Sequence, residues 1–147
     1  MKALIEWYTR LNLYLKLIPF LILFITIIVV FTPNEYMGDE LRYLMFANNL
    51  LNGYYSPPAP DINLWGGPGY SILITPFLFF KLPHVIIRIA NGFLLYFSLI
   101  INYKLFSIYS SKNTSLVFTV LLGLYFPGYT LLPMIYTECF TFFLVIS

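Results

Sequence analysis

Apolar residues fall along this chain in long blocks separated by short polar joints. Residues 11–31 form the first block, and its centre, residues 20–30, holds one polar side chain, Thr26. A helix that crosses about 30 Å of hydrocarbon needs roughly 20 mostly apolar residues, so this block predicts a first membrane span. Pro33 stops it, and Arg10 and Lys16 are placed to snorkel toward one interface. A cleaved signal peptide is a poorer reading, because the run is too long and no small-x-small site follows it. Residues 85–103 predict a second span, interrupted by Arg88, Asn91, Ser98 and Asn102. Residues 116–132 predict a third, with Gly123 inside it and a Pro127-Gly128 kink near its end. A fourth apolar segment starts near Thr137 and reaches only Ser147. About ten residues are too few to span, so the chain reads as the front part of a longer protein.

Residues 33–83, between the first two spans, carry their own pattern. Asp39 is a good N-cap, with Glu40 in the first turn. Leu41, Leu44, Met45 and Leu51 make a helical stripe, thickened by Phe46, Ala47 and Leu50. Asn52-Gly53 is a stop. The helix this predicts, residues 40–51, is too short to span and too apolar for water, so it should lie in the interface. Residues 54–65 read as extended, with three prolines in 56–60. Trp65-Gly66-Gly67-Pro68-Gly69-Tyr70 is a tight turn. Residues 70–82, with Thr75-Pro76 in the middle, read as a second interfacial or re-entrant helix. Tyr54, Tyr55, Trp65 and Tyr70 suit an interfacial aromatic belt. The fold class expected is therefore all-α integral membrane: three full transmembrane helices, the start of a fourth, and two interfacial helices in the first outer loop.

Composition supports the same class. Of the 147 residues 60% are hydrophobic and only 10% charged, against about a quarter charged in a soluble domain. That excludes a soluble enzyme, a disordered tail and a collagen-like chain. A net charge of +2 provides no phosphate-tracking patch, so no nucleic-acid partner is expected. Cys139 is alone and reads as a small buried hydrophobe. Lys2, Arg10 and Lys16 precede the first span, and Lys104 and Lys112 lie between the second and third. Both regions share a side, which the positive-inside rule makes cytoplasmic, the N-terminus included. Glu35, Asp39, Glu40, Asp61 and Glu138 fall on the outer side, leaving only Glu6 inside. The glycines of residues 66–69 lack both a P-loop lysine and dinucleotide spacing. One His and one Cys build no nucleophilic triad, and no metal-ligand spacing occurs.

Four positions carry candidate chemistry. Asp39-Glu40 is either a cap with a dipole-stabilising acid, or a carboxylate base at the water–lipid boundary, able to take a proton from an acceptor hydroxyl or amine. Arg88, about one turn inside the second span, either snorkels outward or pairs with an anionic headgroup or a carboxylate. Glu138 is either an N-terminal helix acid or a second carboxylate facing the same outer cleft as Asp39. His84 reads as an interfacial residue without a role, and Lys81 as a headgroup anchor.

The order of features then resembles a known family. It runs from an N-terminal span through Tyr36-Met37-Gly38-Asp39-Glu40 and Leu44-x-x-Ala47-x-x-Leu50 to Gly53-Tyr54-Tyr55. Gly67-Pro68-Gly69-Tyr70, Arg88-Ile89-x-Asn91, a span ending near Pro127, and Thr137-Glu138 follow. This is similar to the N-terminal third of the GT-C membrane glycosyltransferases, in the branch like the dolichyl-phosphate-mannose protein mannosyltransferases (glycosyltransferase family 39), which includes aminoarabinose transferases. The resemblance implies transfer of a sugar from a polyprenyl-phosphate-linked donor to a lipid, glycan or protein acceptor, with inversion, at the outer face of the plasma (inner) membrane. It puts Asp39 in the place of the catalytic base with Glu40 beside it, and Tyr70, Arg88 and Glu138 at substrate-binding positions. Some members bind a divalent metal at an acidic pair; here Glu138 alone represents the second outer loop, so a metal is an option and not a requirement. The partners implied are the lipid-linked donor, membrane lipids and further C-terminal spans, without which the chain should be inactive. The alternatives are a small non-catalytic membrane subunit, complete at this length, and a fragment of a polysaccharide polymerase or flippase.

Overall fold

A computed structural model describes residues 11–62, 64, 67–125 and 127–147. Trp65, and the basic residues Lys2 and Arg10, lie outside the described residues. Among those described there are six α-helices, one 3-10 turn and no strand. The helices are α1 (Leu13–Phe31), α2 (Glu40–Leu51), α3 (Gly69–Phe79), α4 (His84–Tyr109), α5 (Lys112–Tyr125) and α6 (Glu138–Ile146), with the 3-10 turn at Pro127–Thr130.

Local chemistry accounts for most of the helix ends. Asn12 caps α1, its Oδ1 accepting the Leu15 N–H at 2.9 Å. At the far end of α1 both the N–H and the hydroxyl of Thr32 donate to the Ile28 carbonyl before Pro33. Asn52-Gly53 ends α2: Gly53 has φ +87°, and Tyr54 N–H returns to the Asn49 carbonyl at 3.1 Å. The same return closes α3, Leu82 N–H to the Phe77 carbonyl, with Lys81 at φ +53° in the left-handed position. The residue expected to anchor a headgroup therefore also shapes a helix end.

Two helices, α1 and α4, are long and apolar enough to cross a membrane. The second runs six residues past the expected end, because Leu105, Phe106 and Ile108 continue the apolar pattern around the single charge of Lys104. The third full span expected over 116–132 does not take that form. Its helix is displaced to Lys112–Tyr125, and 14 residues rise only about 21 Å at 1.5 Å each. It begins early because Ser111 caps it, Oγ accepting the Thr114 N–H at 3.2 Å. It ends early because Pro127 has no N–H for the Gly123 carbonyl; the Tyr129 hydroxyl donates to that carbonyl instead.

The hub is α4, against which α1, α5, α6 and α3 all pack, while α2 lies along α3. Leu17, Phe20, Phe24 and Ile28 form one buried stripe of α1 against Leu95, Tyr96, Leu99 and Ile100 of α4. A Cβ at Gly123 would stand 2.6 Å from the Phe20 ring, so only glycine permits this approach of α5 to α1. On the opposite face of α1, Ile22, Val29, Val30 and Phe31 are all more than 60% exposed. A second cluster, Tyr43, Leu44, Ala47, Tyr70, Ile74, Ile87 and Ile135, joins α2 and α3 to the start of α4 and the approach to α6. Every described carboxylate lies at this end, and Lys16, Lys104 and Lys112 lie at the other.

Candidate functional site

The acid-bearing end is built around one completely buried carboxylate, Glu40, at the first residue of α2. Its Oε1 accepts from Arg88 Nη2 at 2.9 Å and from the Ile135 N–H at 2.7 Å; its Oε2 accepts from the Met37 N–H at 2.8 Å. The reach back to Met37 has the i to i−3 geometry of a capping box. The other two contacts join α2 to α4 and to the segment before α6, 48 and 95 residues away. Arg88 is 4% exposed. Of the two partners weighed for it, an anionic headgroup and a carboxylate, it meets the carboxylate. A buried pair with this many hydrogen bonds holds its elements in register, whatever its net contribution to stability.

Gly38 and Tyr136 extend the clamp. Gly38 has φ +55°, and a Cβ there would lie 2.3 Å from the Tyr136 hydroxyl, which donates to the Met37 carbonyl at 3.2 Å. Tyr36 Oη lies 2.5 Å from His84 Nδ1. His84, read as an interfacial residue without a role, thus ties the chain after α1 to the start of α4.

Asp39 lies outside this clamp. It occupies the N-cap position of α2, but its backbone is helical and its side chain makes no capping hydrogen bond. That corrects the expected side-chain cap: Glu40 takes the capping role by reaching back to Met37. The Asp39 carboxylate is 53% exposed and pairs with Arg42 at 2.6 Å. Arg42 is a site residue that sequence reasoning missed. Its i, i+3 spacing from Asp39 was the available signal.

Tyr70 is 2% exposed. It accepts from Asn91 Nδ2 at 2.8 Å and meets the Tyr43 ring edge-on at 5.2 Å. Burial pushes its phenol up, partly offset by the Asn91 hydrogen bond, so it stays protonated. Glu138 is exposed in the first turn of α6, outside the Glu40–Arg88 clamp, yet its charge reaches Tyr70. Of the five residues singled out from sequence, the structure brings Glu40 and Arg88 into contact, pairs Asp39 with Arg42 instead, seats Tyr70 against Asn91, Tyr43 and Phe140, and leaves Glu138 exposed at the start of α6.

Two clefts open at this end. One, of about 480 Å³, is lined by Tyr43, Gly67, Tyr70, Thr137, Phe140 and Thr141, among others. Asp39 does not line this cleft; Tyr43, one helical turn further along α2, does. The other, of about 440 Å³, is almost wholly apolar and runs from Ile27 and Phe31 of α1 to Met37, Thr130 and Met134. Both volumes suit small-molecule sites. Three buried side-chain atoms lack a hydrogen-bond partner among the described residues: Arg42 Nε, Ser71 Oγ and Arg88 Nε. All three lie on α2, α3 and the start of α4. Among the described residues no three His, Cys, Asp or Glu side chains come together. No known protein family, curated protein or solved structure matches the chain.

Proposed function

We propose that this chain is part of a membrane glycosyltransferase that takes a sugar from a polyprenyl-phosphate donor at its acid-bearing end. The observation that carries the reading is the division of labour in Asp39-Glu40. One carboxylate is buried and committed to holding α2 in place. Its neighbour is exposed on the rigid helix start so created.

In this reading Asp39 takes the proton from an acceptor hydroxyl or amine. The acceptor atom forms a bond to the anomeric carbon, and the bond from that carbon to the phosphate oxygen breaks, its electron pair leaving with the polyprenyl phosphate. The proton remains on Asp39 until it passes to water. Arg42 is the cation beside the base and holds its carboxylate in place. Arg88 acts as a positioning residue, since its guanidinium is engaged with Glu40. The cleft between Tyr43, Tyr70 and Phe140 offers ring faces with the hydroxyls of Thr137 and Thr141, a lining that suits a sugar. The apolar cleft ending at Met37, two residues before Asp39, suits the carrier chain. The exposed apolar face of α1 supports membrane embedding, since a soluble monomer rarely leaves so large an apolar patch in water.

The test is Asp39→Asn in the natural protein, assayed in membranes for release of polyprenyl phosphate from polyprenyl-phosphate sugars. Loss of a general base should lower turnover about 10²–10⁴-fold while the melting temperature stays near wild type, because the side chain is exposed. Unchanged turnover would remove Asp39 from the chemistry, and no turnover by the wild type would favour the non-catalytic subunit.

A further inference from the structure

The two segments that Glu40 clamps are irregular, and both border the apolar cleft. Glu40 Oε2 takes the Met37 N–H, in the segment after α1, and Oε1 takes the Ile135 N–H, in the segment before α6. The cleft is lined by Pro33 and Met37 from the first segment and by Pro133 and Met134 from the second, while Glu40 itself does not line it. Met37 is engaged three ways. Its side chain is at the cleft, its N–H is on Glu40, and its carbonyl accepts from the Tyr136 hydroxyl at 3.2 Å. Met134 adjoins the other donor to Glu40, Ile135. Pulling the two segments apart would therefore break the clamp and part the cleft walls in one movement. Phe31 and Met37 remain 67% and 51% exposed, so apolar surface at the cleft is left for an occupant to cover. Phe31 also belongs to the uncovered apolar face of α1, the side from which a hydrocarbon chain would enter.

We propose that the clamp senses this cleft: a polyprenyl chain lying between Met37 and Met134 locks both segments onto Glu40 and so fixes the start of α2. A chain that touches both walls binds the closed clamp better than the open one, and only such a difference can shift the balance between them. A polyprenyl chain suits the role better than a saturated one, because its double bonds leave fewer rotors to freeze on binding. The inference rests on the reading of this cleft as the carrier's and not on Asp39 as the base. Its experiment contains neither phosphate nor sugar, so the outcomes of the two tests are independent.

Hydrogen exchange of the full chain tests it, in bile-salt micelles whose fused rings do not thread a narrow cleft, with farnesol as the probe. Farnesol at about ten times its dissociation constant should slow exchange of the Met37 and Ile135 amides roughly tenfold. The amides of Asn102 and Tyr103, toward the other end of α4, should keep their rates. Hexadecanol at the same concentration should have a smaller effect. Ile27→Trp, which fills the cleft from α1 and leaves the clamp residues in place, should abolish the response. Thr130→Trp fills it from the other side and gives the same reading if the first variant folds poorly. Unchanged exchange at either clamp amide overturns the proposal, as does equal slowing along the whole chain, which would be general stabilisation. So does hexadecanol matching farnesol, since a cleft filled by any bilayer lipid could not report the donor, or a response that survives in both Trp variants.

Discussion

At the scale of single residues, the Glu40–Arg88 pair sets the geometry of the acid-bearing end. Each partner is charged, almost fully buried and hydrogen-bonded to the other at 2.9 Å. Removing one leaves the other as an uncompensated buried charge, which costs about 3–5 kcal/mol. Replacing both by apolar groups of similar volume costs much less. Arg88→Met and Glu40→Leu alone should therefore each lower the melting temperature of the purified protein sharply, and the double variant should recover a large part of the loss. A double-mutant cycle reads the coupling directly, and strictly additive single effects would show that the two side chains do not depend on each other. The chemistry of the pair was half legible in the sequence. An arginine one turn inside a span must find an anion or reach water, but nothing local says that the anion is Glu40, 48 residues earlier. Still less could local sequence show that the Ile135 N–H, 95 residues from Glu40, completes the set. Arg42 was overlooked because an i, i+3 neighbour of an acid on an exposed helix face is usually a minor surface pair.

Among the elements, legibility followed the strength of local signals. The stripe of α2 and its Asn52-Gly53 stop placed the helix at 40–51, where the structure has it. The ends of α4 and α5 were harder, since a lone lysine within apolar surroundings does not end a helix and the Ser111 cap looks like any loop serine. The joint between the first loop and the approach to α6 was invisible, because a glycine before an Asp-Glu pair does not reveal what packs against it. Gly38 and Gly53 now form a matched pair of tests. Both have positive φ, so alanine at either should cost about 1–2 kcal/mol in backbone strain. Gly53 has open space around its Cα, whereas a Cβ at Gly38 collides with the Tyr136 hydroxyl. Gly38→Ala should be the more destabilising in thermal melts, and Tyr136→Phe should recover part of that difference while doing nothing for Gly53→Ala. Equal melting temperatures for the two alanine variants would mean that the loop is not seated on Tyr136.

For the whole molecule, the deciding question is what surrounds the uncovered faces of α1. A buried helix in a soluble protein is covered on most sides, but only 22% of the apolar window of α1 is buried here, compared with 50% for α4. Ile22, Val29, Val30 and Phe31 leave the bundle together, and hydrocarbon is the solvent that accepts them without cost. The described carboxylates of the side chains lie at one end, with Arg42, Lys81 and Arg88, while Lys16, Lys104 and Lys112 lie where α1 and α5 begin and α4 ends. The proposed reading puts the end with Lys16, Lys104 and Lys112 in the cytoplasm. Single cysteines in a Cys139→Ser background test all of this with one membrane-impermeant maleimide. Asp61→Cys, in the loop between α2 and α3, should label in intact cells. Asn113→Cys, at the start of α5, should label only after permeabilisation. Val30→Cys should resist the reagent under both conditions, although that position is 64% exposed in the isolated fold, because lipid and not water would cover it. Labelling of Val30→Cys as fast as Asp61→Cys would return α1 to water and remove the membrane from every step of the proposed chemistry. Reversed accessibility of the other two would keep the membrane but turn the molecule over, placing the Asp39 carboxylate in the cytosol.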